Sequence, residues 1–258
     1  MRIQLLPSSF DETGKVSQHQ RLTCFVVNDS VAIDAGSLAF SCSREQRDQI
    51  RDIVISHTHL DHIAGLPIYI DDLFAGLTEP LRVHATRKMA DSLEKYVFNW
   101  DIYPRFSELK NDHGTVMEYK FFETGERFSA GGLEITAVLV NHNNPSAGFI
   151  ISAGSCAIGI TGDTAETDDI WRAFGQCRDL KAIFVECAFP NEMDSLALAS
   201  HHLTPNRLNV ELGKFLNEGC QVFVSNIKAM YRERVVEQIL ALGKRNVEIV
   251  EVGKVYEF

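Results

Sequence analysis

The stretch Ser56-His57-Thr58-His59-Leu60-Asp61-His62 decides how the rest of the chain is read. It directly follows Ile50-Arg51-Asp52-Ile53-Val54-Ile55, a short β-branched run with the character of a buried strand. A strand end therefore releases three imidazoles and one carboxylate within six residues. Neutral imidazole and carboxylate are the ligand types that suit Zn²⁺ and related dications. The spacing lets His57 and His59 face one ion while Asp61 and His62 face another. The alternative is a polar turn rich in histidine, and three of the chain's nine His in one such window weigh against it.

The 258 residues, 45% of them hydrophobic, suffice for a full core in one large domain, and one domain over residues 1–258 is expected. No apolar run is long enough for a membrane span. The opening Met1-Arg2-Ile3-Gln4-Leu5-Leu6-Pro7 lacks the apolar core of a secretory signal and reads as an edge strand. Six scattered Cys without a Cys-x-x-Cys pair fit reduced thiols in a cytoplasmic protein. A formal net charge of −10 disfavours long nucleic acid as a partner. A small anionic substrate stays compatible, because bound dications dominate the field inside a metal cleft.

Other segments repeat the theme of a strand that ends in polar residues. Leu22–Val27 and Val31–Asp34 form a hairpin around Asn28-Asp29-Ser30, closed by Asp34-Ala35-Gly36. The polar segment from Ser8 to Arg21 is expected as a loop on the cleft side. Ile63–Leu77 reads as a helix start interrupted by Pro67, and Arg87–Phe98 as a helix. His84 fits a strand residue with a satisfied hydrogen bond. The aromatic run Tyr96–Phe106 suits core packing, a homodimer contact, or stacking on a nucleobase. Leu133–Val140 delivers His142 into Asn141-His142-Asn143-Asn144-Pro145, and Cys156–Thr161 delivers Gly162-Asp163. Lys181–Glu186 is the next strand. Ser200-His201-His202-Leu203-Thr204-Pro205 precedes a helix expected over Asn206–Glu218, with Pro205 at its start. Gln221–Ser225 ends in Asn226-Ile227-Lys228, followed by a helix (Met230–Leu242) and a terminal pair of strands, Val247–Val252 and Val255–Phe258.

His57-Thr58-His59-Leu60-Asp61-His62-Ile63-Ala64-Gly65-Leu66-Pro67 resembles the signature of the metallo-β-lactamase fold, and in its extended form the class II cyclic nucleotide phosphodiesterases. The resemblance implies a four-layer αββα sandwich whose site lies along one edge of the stacked sheets. It implies His57, His59 and His142 on a first metal, Asp61 and His62 on a second, and Asp163 bridging the two. Glu186 and the His202-x-Thr204 segment resemble the Glu–His pair of the phosphodiesterase and tRNA 3′-processing branches, with Glu186 orienting His202. The chain departs from the pattern at Asn226-Ile227-Lys228-Ala229, where the family usually has His-Ile-Lys-Pro. An Asn226 carbonyl is a weaker ligand for Zn²⁺ than imidazole, so the second of two divalent sites is expected to be the looser one. Mn or Fe would suit the same ligands.

The function implied is hydrolysis of a small anionic phosphodiester, a 3′,5′-cyclic nucleotide first, by a metal-bound hydroxide that Asp61 orients. His202 would protonate the leaving oxygen, and Lys228 would contact phosphate. An RNA 3′-processing endonuclease is the enzyme rival, disfavoured by the acidic balance and by the lack of a Gly- and Lys-rich insertion. Asn226 keeps open a third reading, a non-catalytic metal-binding ligand sensor of the same fold.

Overall fold

The protein is described by a computed structural model covering residues 1–142, 145–215, 217 and 219–258. Among these residues two seven-stranded sheets dominate. In the first, the spatial order is Val255–Glu257, Arg2–Leu5, Phe25–Val27, Val31–Ile33, Asp52–Val54, Leu81–Ala85, Met117–Phe121. In the second it is Val247–Ile249, Gln221–Ser225, Leu180–Glu186, Cys156–Ile160, Ser146–Ala153, Leu133–Val140, Arg127–Ala130. Each sheet is mixed. Val31–Ile33 to Met117–Phe121 run parallel in the first, and Cys156–Ile160 to Val247–Ile249 in the second.

The two sheets pack face to face. Phe25 of the first meets Phe184 of the second at 5.3 Å between ring centroids, and Phe223 meets Tyr256 at 4.6 Å. Their inward side chains share one buried cluster with Ile33, Ile53, Val83, Phe149 and Ile158. A second cluster lines the outer face of the second sheet. There Ile170, Trp171 and Phe174 of the helix Asp169–Gln176, Leu208 and Leu212 of Pro205–Leu212, and Val235 and Ile239 of Arg232–Ala241 cover Ile183, Val185 and Val222. The helices Leu66–Leu73 and Arg87–Tyr96 bury Tyr69, Ile70, Met89 and Leu93 in the first cluster. Helix, sheet, sheet, helix is the expected αββα sandwich.

Several local expectations change. Arg2–Leu5 is internal, because Val255–Glu257 pairs along its outer side. The terminal strands are not partners: Val247–Ile249 extends the second sheet and Val255–Glu257 the first. Pro67 interrupts nothing. It sits in the first turn of Leu66–Leu73, where its missing N–H costs no hydrogen bond, after the short helix Leu60–Ile63. The helix expected over Asn206–Glu218 ends at Leu212, and its expected end at residue 218 lies outside the described residues, as do Asn143 and Asn144 of the expected loop. The aromatic run is carried away from the cleft: the helix Arg87–Tyr96 starts at the carboxyl end of Leu81–Ala85 and runs back to the opposite sheet edge. Phe98 and Phe106 are buried there, against each other and against Phe74 and Tyr103. The stacking reading therefore falls; core packing holds for Phe98 and Phe106, while Tyr96, Trp100 and Ile102 are exposed. All six thiols are free. No described helix is long and apolar enough to cross a membrane.

His84 has the satisfied role expected of it. Its Nε2 meets Asp52 Oδ1 at 2.7 Å, and the Arg82 guanidinium donates to both Asp52 oxygens at 2.9 and 2.8 Å. Burial alone would push the Asp52 carboxyl up, but His84 and Arg82 outweigh it and hold it below the usual range. A carboxyl depressed in the folded state stabilises above its unfolded pKa of about 3.9, and that contribution is lost as pH falls towards the folded value. Asp52→Asn should cost about 3 kcal/mol by stranding a half-buried cation, or roughly 6–12 °C of melting temperature. The deficit should shrink below about pH 4. Thermal melts at pH 7 and pH 3 check this, and equal deficits at both would refute it.

Candidate metal centre

The carboxyl ends of the parallel strands lie together, which is where open α/β sheets place their ligands. The Asp52–Val54 strand runs out through Ile55 into Ser56, and this exit is fixed by Asp34. Asp34 takes the Ser56 main-chain N–H at 2.8 Å and the Ser56 hydroxyl at 2.7 Å. It also meets His62 Nδ1 at 2.7 Å, so it sets the ring of His62 as well as the start of the loop. Gly36 makes the close approach feasible: a Cβ there would lie 2.0 Å from the Asp61 carbonyl oxygen. Gly162 turns the chain into Asp163 with a φ of +62°, a left-handed conformation that glycine adopts without strain.

Five imidazoles and a carboxylate converge at this edge. His57, His59 and His142 each present a nitrogen within 4.8 Å of the others. The same holds for His57, His62 and Asp163, and for His142, Asp163 and His202. His142 Nδ1 donates to the His201 carbonyl at 3.0 Å, which leaves Nε2 facing His59 Nδ1 at 3.1 Å. His57 Nε2 and His62 Nε2 are buried without a hydrogen-bond partner. They lie 3.8 and 3.4 Å from Asp163 Oδ2. Buried ring nitrogens that converge on one carboxylate call for a positive charge among them, a protonated ring or a bound cation. The donor set is imidazole and carboxylate throughout, and it fits a dication such as Zn²⁺.

Protonation favours the same reading. Burial holds His57 well below the ordinary imidazole range, and the charge of His62 adds to it. Burial likewise lowers His59, and pushes His142 down to about 4. These three rings are therefore neutral at pH 7, with lone pairs to offer, which is the form a metal requires. His62 is the opposite case: burial disfavours its charge, but Asp163 and Asp34 outweigh it and raise it. Burial would raise Asp163 too, yet His62, His57 and His202 hold it well below the usual range.

Beside this cluster stands a second buried pair. His202 Nδ1 meets Glu186 Oε1 at 2.7 Å. The Glu186 carboxylate also accepts the main-chain N–H groups of Thr164, Ala188 and Leu203 at 3.0, 3.0 and 3.2 Å. Burial works against a charged His202, but Glu186, helped by Asp163, lifts it above the ordinary range. With Nδ1 committed, His202 has Nε2 left for the cleft. The Thr204 hydroxyl caps the helix Pro205–Leu212 just beyond, so the loop that carries His202 is anchored at once.

Of the residues expected at the site, His57, His59, His62, His142, Asp163, Glu186 and His202 come together. Two arrive engaged with other side chains. Asp61 belongs to none of the three ligand groups among the described residues; its carboxylate is taken by the Lys228 ammonium at 3.1 Å. Asn226 arrives beside Asp163, but it presents its amide nitrogen to Asp163 Oδ1 at 2.6 Å, as a donor rather than through its carbonyl. His201 does not join the ring cluster. Its contribution is the carbonyl that orients His142, from a left-handed backbone with φ of +54°. Sequence reading missed Asp34 as the partner of His62, although Asp34-Ala35-Gly36 stood out as a motif. It also missed Gln20, whose Oε1 accepts the Asn226 main-chain N–H at 2.9 Å and so ties the polar loop to the cleft as expected of that loop.

Residues 29–218, most of the chain, match the beta-lactamase superfamily domain. The chain belongs to this superfamily. Within it, the chain is similar to a probable 3′,5′-cyclic-nucleotide phosphodiesterase of Yersinia pestis, 26% identical over 211 residues, which are 72% of this chain and 60% of that one. It is also similar to a 3′,5′-cyclic-nucleotide phosphodiesterase of Aliivibrio fischeri, 28% identical over 232 residues, covering 80% and 68%. The chain thus spans about 60–68% of the length of these curated relatives. Among solved structures, unliganded yeast PDE1 superposes over 98% of both chains with a TM-score of 0.76 at 17% identity, a likeness of fold. The superfamily and the fold are those the His57–Pro67 motif implied.

Proposed function

We propose that this superfamily member is a metal-dependent phosphodiesterase, with a 3′,5′-cyclic nucleotide as its first-choice substrate. The observation that carries the reading is the convergence of His57, His59, His142 and Asp163 next to the buried Glu186–His202 pair. The similarity to two proteins named as cyclic-nucleotide phosphodiesterases supports it. His57 Nε2, His59 Nδ1, His142 Nε2 and an oxygen of Asp163 would hold the ion, Zn²⁺ first and Mn²⁺ or Fe²⁺ as alternatives. When bound, the ion supplies a Lewis acid for a phosphoryl oxygen and makes water more acidic. The chain does the rest. Asp34 fixes the His62 ring through Nδ1, and the His201 carbonyl fixes that of His142. Glu186 holds His202 with a proton on Nδ1, and the raised affinity of that ring for a second proton equips Nε2 to give one to a leaving alkoxide. Lys228, half-buried at the mouth, places a positive charge where a phosphate would enter.

The test is turnover of bis(4-nitrophenyl) phosphate and of cyclic AMP by chelator-stripped protein, before and after Zn²⁺ or Mn²⁺ is restored. Activity on both that appears only with the ion, and greater on the cyclic nucleotide, is the expected result. Turnover of neither by metal-loaded, folded protein would overturn the reading and leave the ligand-sensor alternative. Cleavage of a tRNA precursor in preference to both small substrates would move it to the RNA-processing rival.

A further inference from the structure

We infer that the centre is built for a single dication, and that Asn226 presents an amide donor where a second ion would need a ligand. The inference rests on the metal reading above for the first ion and concerns what this chain does with the remaining ligands. A second cation beside His62 would draw on two carboxylates, Asp61 and Asp163. Each is already engaged. Asp163 Oδ1 takes the Asn226 amide at 2.6 Å, and Oδ2 is the oxygen left to face His57 and His62. Asp61 Oδ2 takes the Lys228 ammonium at 3.1 Å.

The orientation of the Asn226 amide follows from its surroundings. Turned the other way, its carbonyl oxygen would sit 2.6 Å from a carboxylate oxygen, lone pair against lone pair. The residue has little freedom to withdraw. It is buried, its main-chain N–H is held by Gln20 Oε1, and its φ of +52° lies in a region that Asn tolerates better than most side chains. Lys228 is anchored as well, through its main-chain N–H to the Ala188 carbonyl at 3.1 Å. A second dication would therefore meet the positive end of an amide dipole and an ammonium at close range, with neither Asp61 nor a full Asp163 to offset them. The outcome is one metal ion where the resemblance implies two, and since the lysine belongs to the family pattern as well, Asn226 is the residue that makes the difference.

Metal content decides this without reference to turnover. Protein stripped with chelator, reloaded with excess Zn²⁺ or Mn²⁺ and desalted should retain about one ion per chain by mass spectrometry, with a Mn²⁺ resonance signal of an isolated ion. Asn226→His should raise retention towards two and give the spin-coupled signal of a Mn²⁺ pair. Lys228→Met should admit a second ion only at high metal concentration. Two ions retained by the unaltered chain would overturn the inference, as would no ion at all, or Asn226→His remaining at one while its circular dichroism is native. The two proposals fail separately: one ion with no phosphodiester turnover sinks the function and keeps the stoichiometry, and turnover with two ions does the reverse.

Discussion

Replacing His202 by Ala is expected to lower kcat on an aryl phosphodiester by about 10²–10⁴-fold, the usual contribution of a positioned general acid. This corresponds to roughly 3–5 kcal/mol on the barrier. Metal content should stay at the level of the unaltered chain. That second readout matters because His202 lies close enough to His142 and Asp163 to count as a ligand by distance alone. Against a ligand role, Nδ1 faces Glu186 at 2.7 Å, closer than the 4.0 Å to Asp163. A variant that loses its metal would make His202 a ligand; one that keeps both metal and kcat would remove it from the reaction. The loss should also fall with a better leaving group, since an acid helps least where the departing oxygen is already stable.

Glu186 is a positioning residue in this scheme, and Glu186→Gln tests it. Three main-chain N–H groups point at the carboxylate, so an amide nitrogen turned among them leaves a donor facing a donor. The cost should be about 1–3 kcal/mol of stability. In addition, the alkaline limb of the kcat profile should move to lower pH, because the carboxylate charge that raises His202 is gone. A purely structural role would lower stability and leave that limb in place.

The chain exposes its layout clearly where residue type and period agree. Strands such as Leu133–Val140 and Leu180–Glu186 end in polar residues whose chemistry is distinctive, and those ends meet in space as the His57–His62 motif implied. What stayed hidden depends on pairings across long sequence separations. Nothing local in Arg2–Leu5 says that Val255–Glu257 will cover it, since an edge strand and an internal one differ by a neighbour near the other end of the sequence rather than by composition. The aromatic run Tyr96–Phe106 offered surface chemistry without a location, and the direction of the helix before it sent it to the far edge. The same limit applies at the site. The letters Asp34, Asn226 and Lys228 were visible, but Asp34 reaches His62 across 28 residues, Asn226 reaches Asp163 across 63 and Lys228 reaches Asp61 across 167. Which partner each of these side chains meets is set by those long separations and not by the letters of the motif.

Asp163→Ala should have the largest effect of all, with loss of retained metal and a fall in kcat/KM on the order of 10³-fold or more, as expected when the several kcal/mol supplied by a Lewis acid are removed. Asp163 is the residue at which every part of the centre meets: Oδ1 receives Asn226, while Oδ2 faces His57, His62 and His202. Removing it leaves the Asn226 amide buried without its acceptor and brings the rings of His57 and His62, 4.1 Å apart, together with no negative charge between them. Destabilisation of the metal-free variant by about 1–3 kcal/mol is therefore expected from the stranded donor alone. Asp163→Asn separates this from the chemistry. It keeps the volume and can accept from Asn226 through its carbonyl, so it should fold nearly as well as the unaltered chain and still fail to retain the ion, because a neutral oxygen replaces the one charged ligand among the imidazoles. If folded Asp163→Asn held metal as the unaltered chain does, the three imidazoles would suffice without the carboxylate, and the centre would have to be redrawn around His57, His59 and His142 alone.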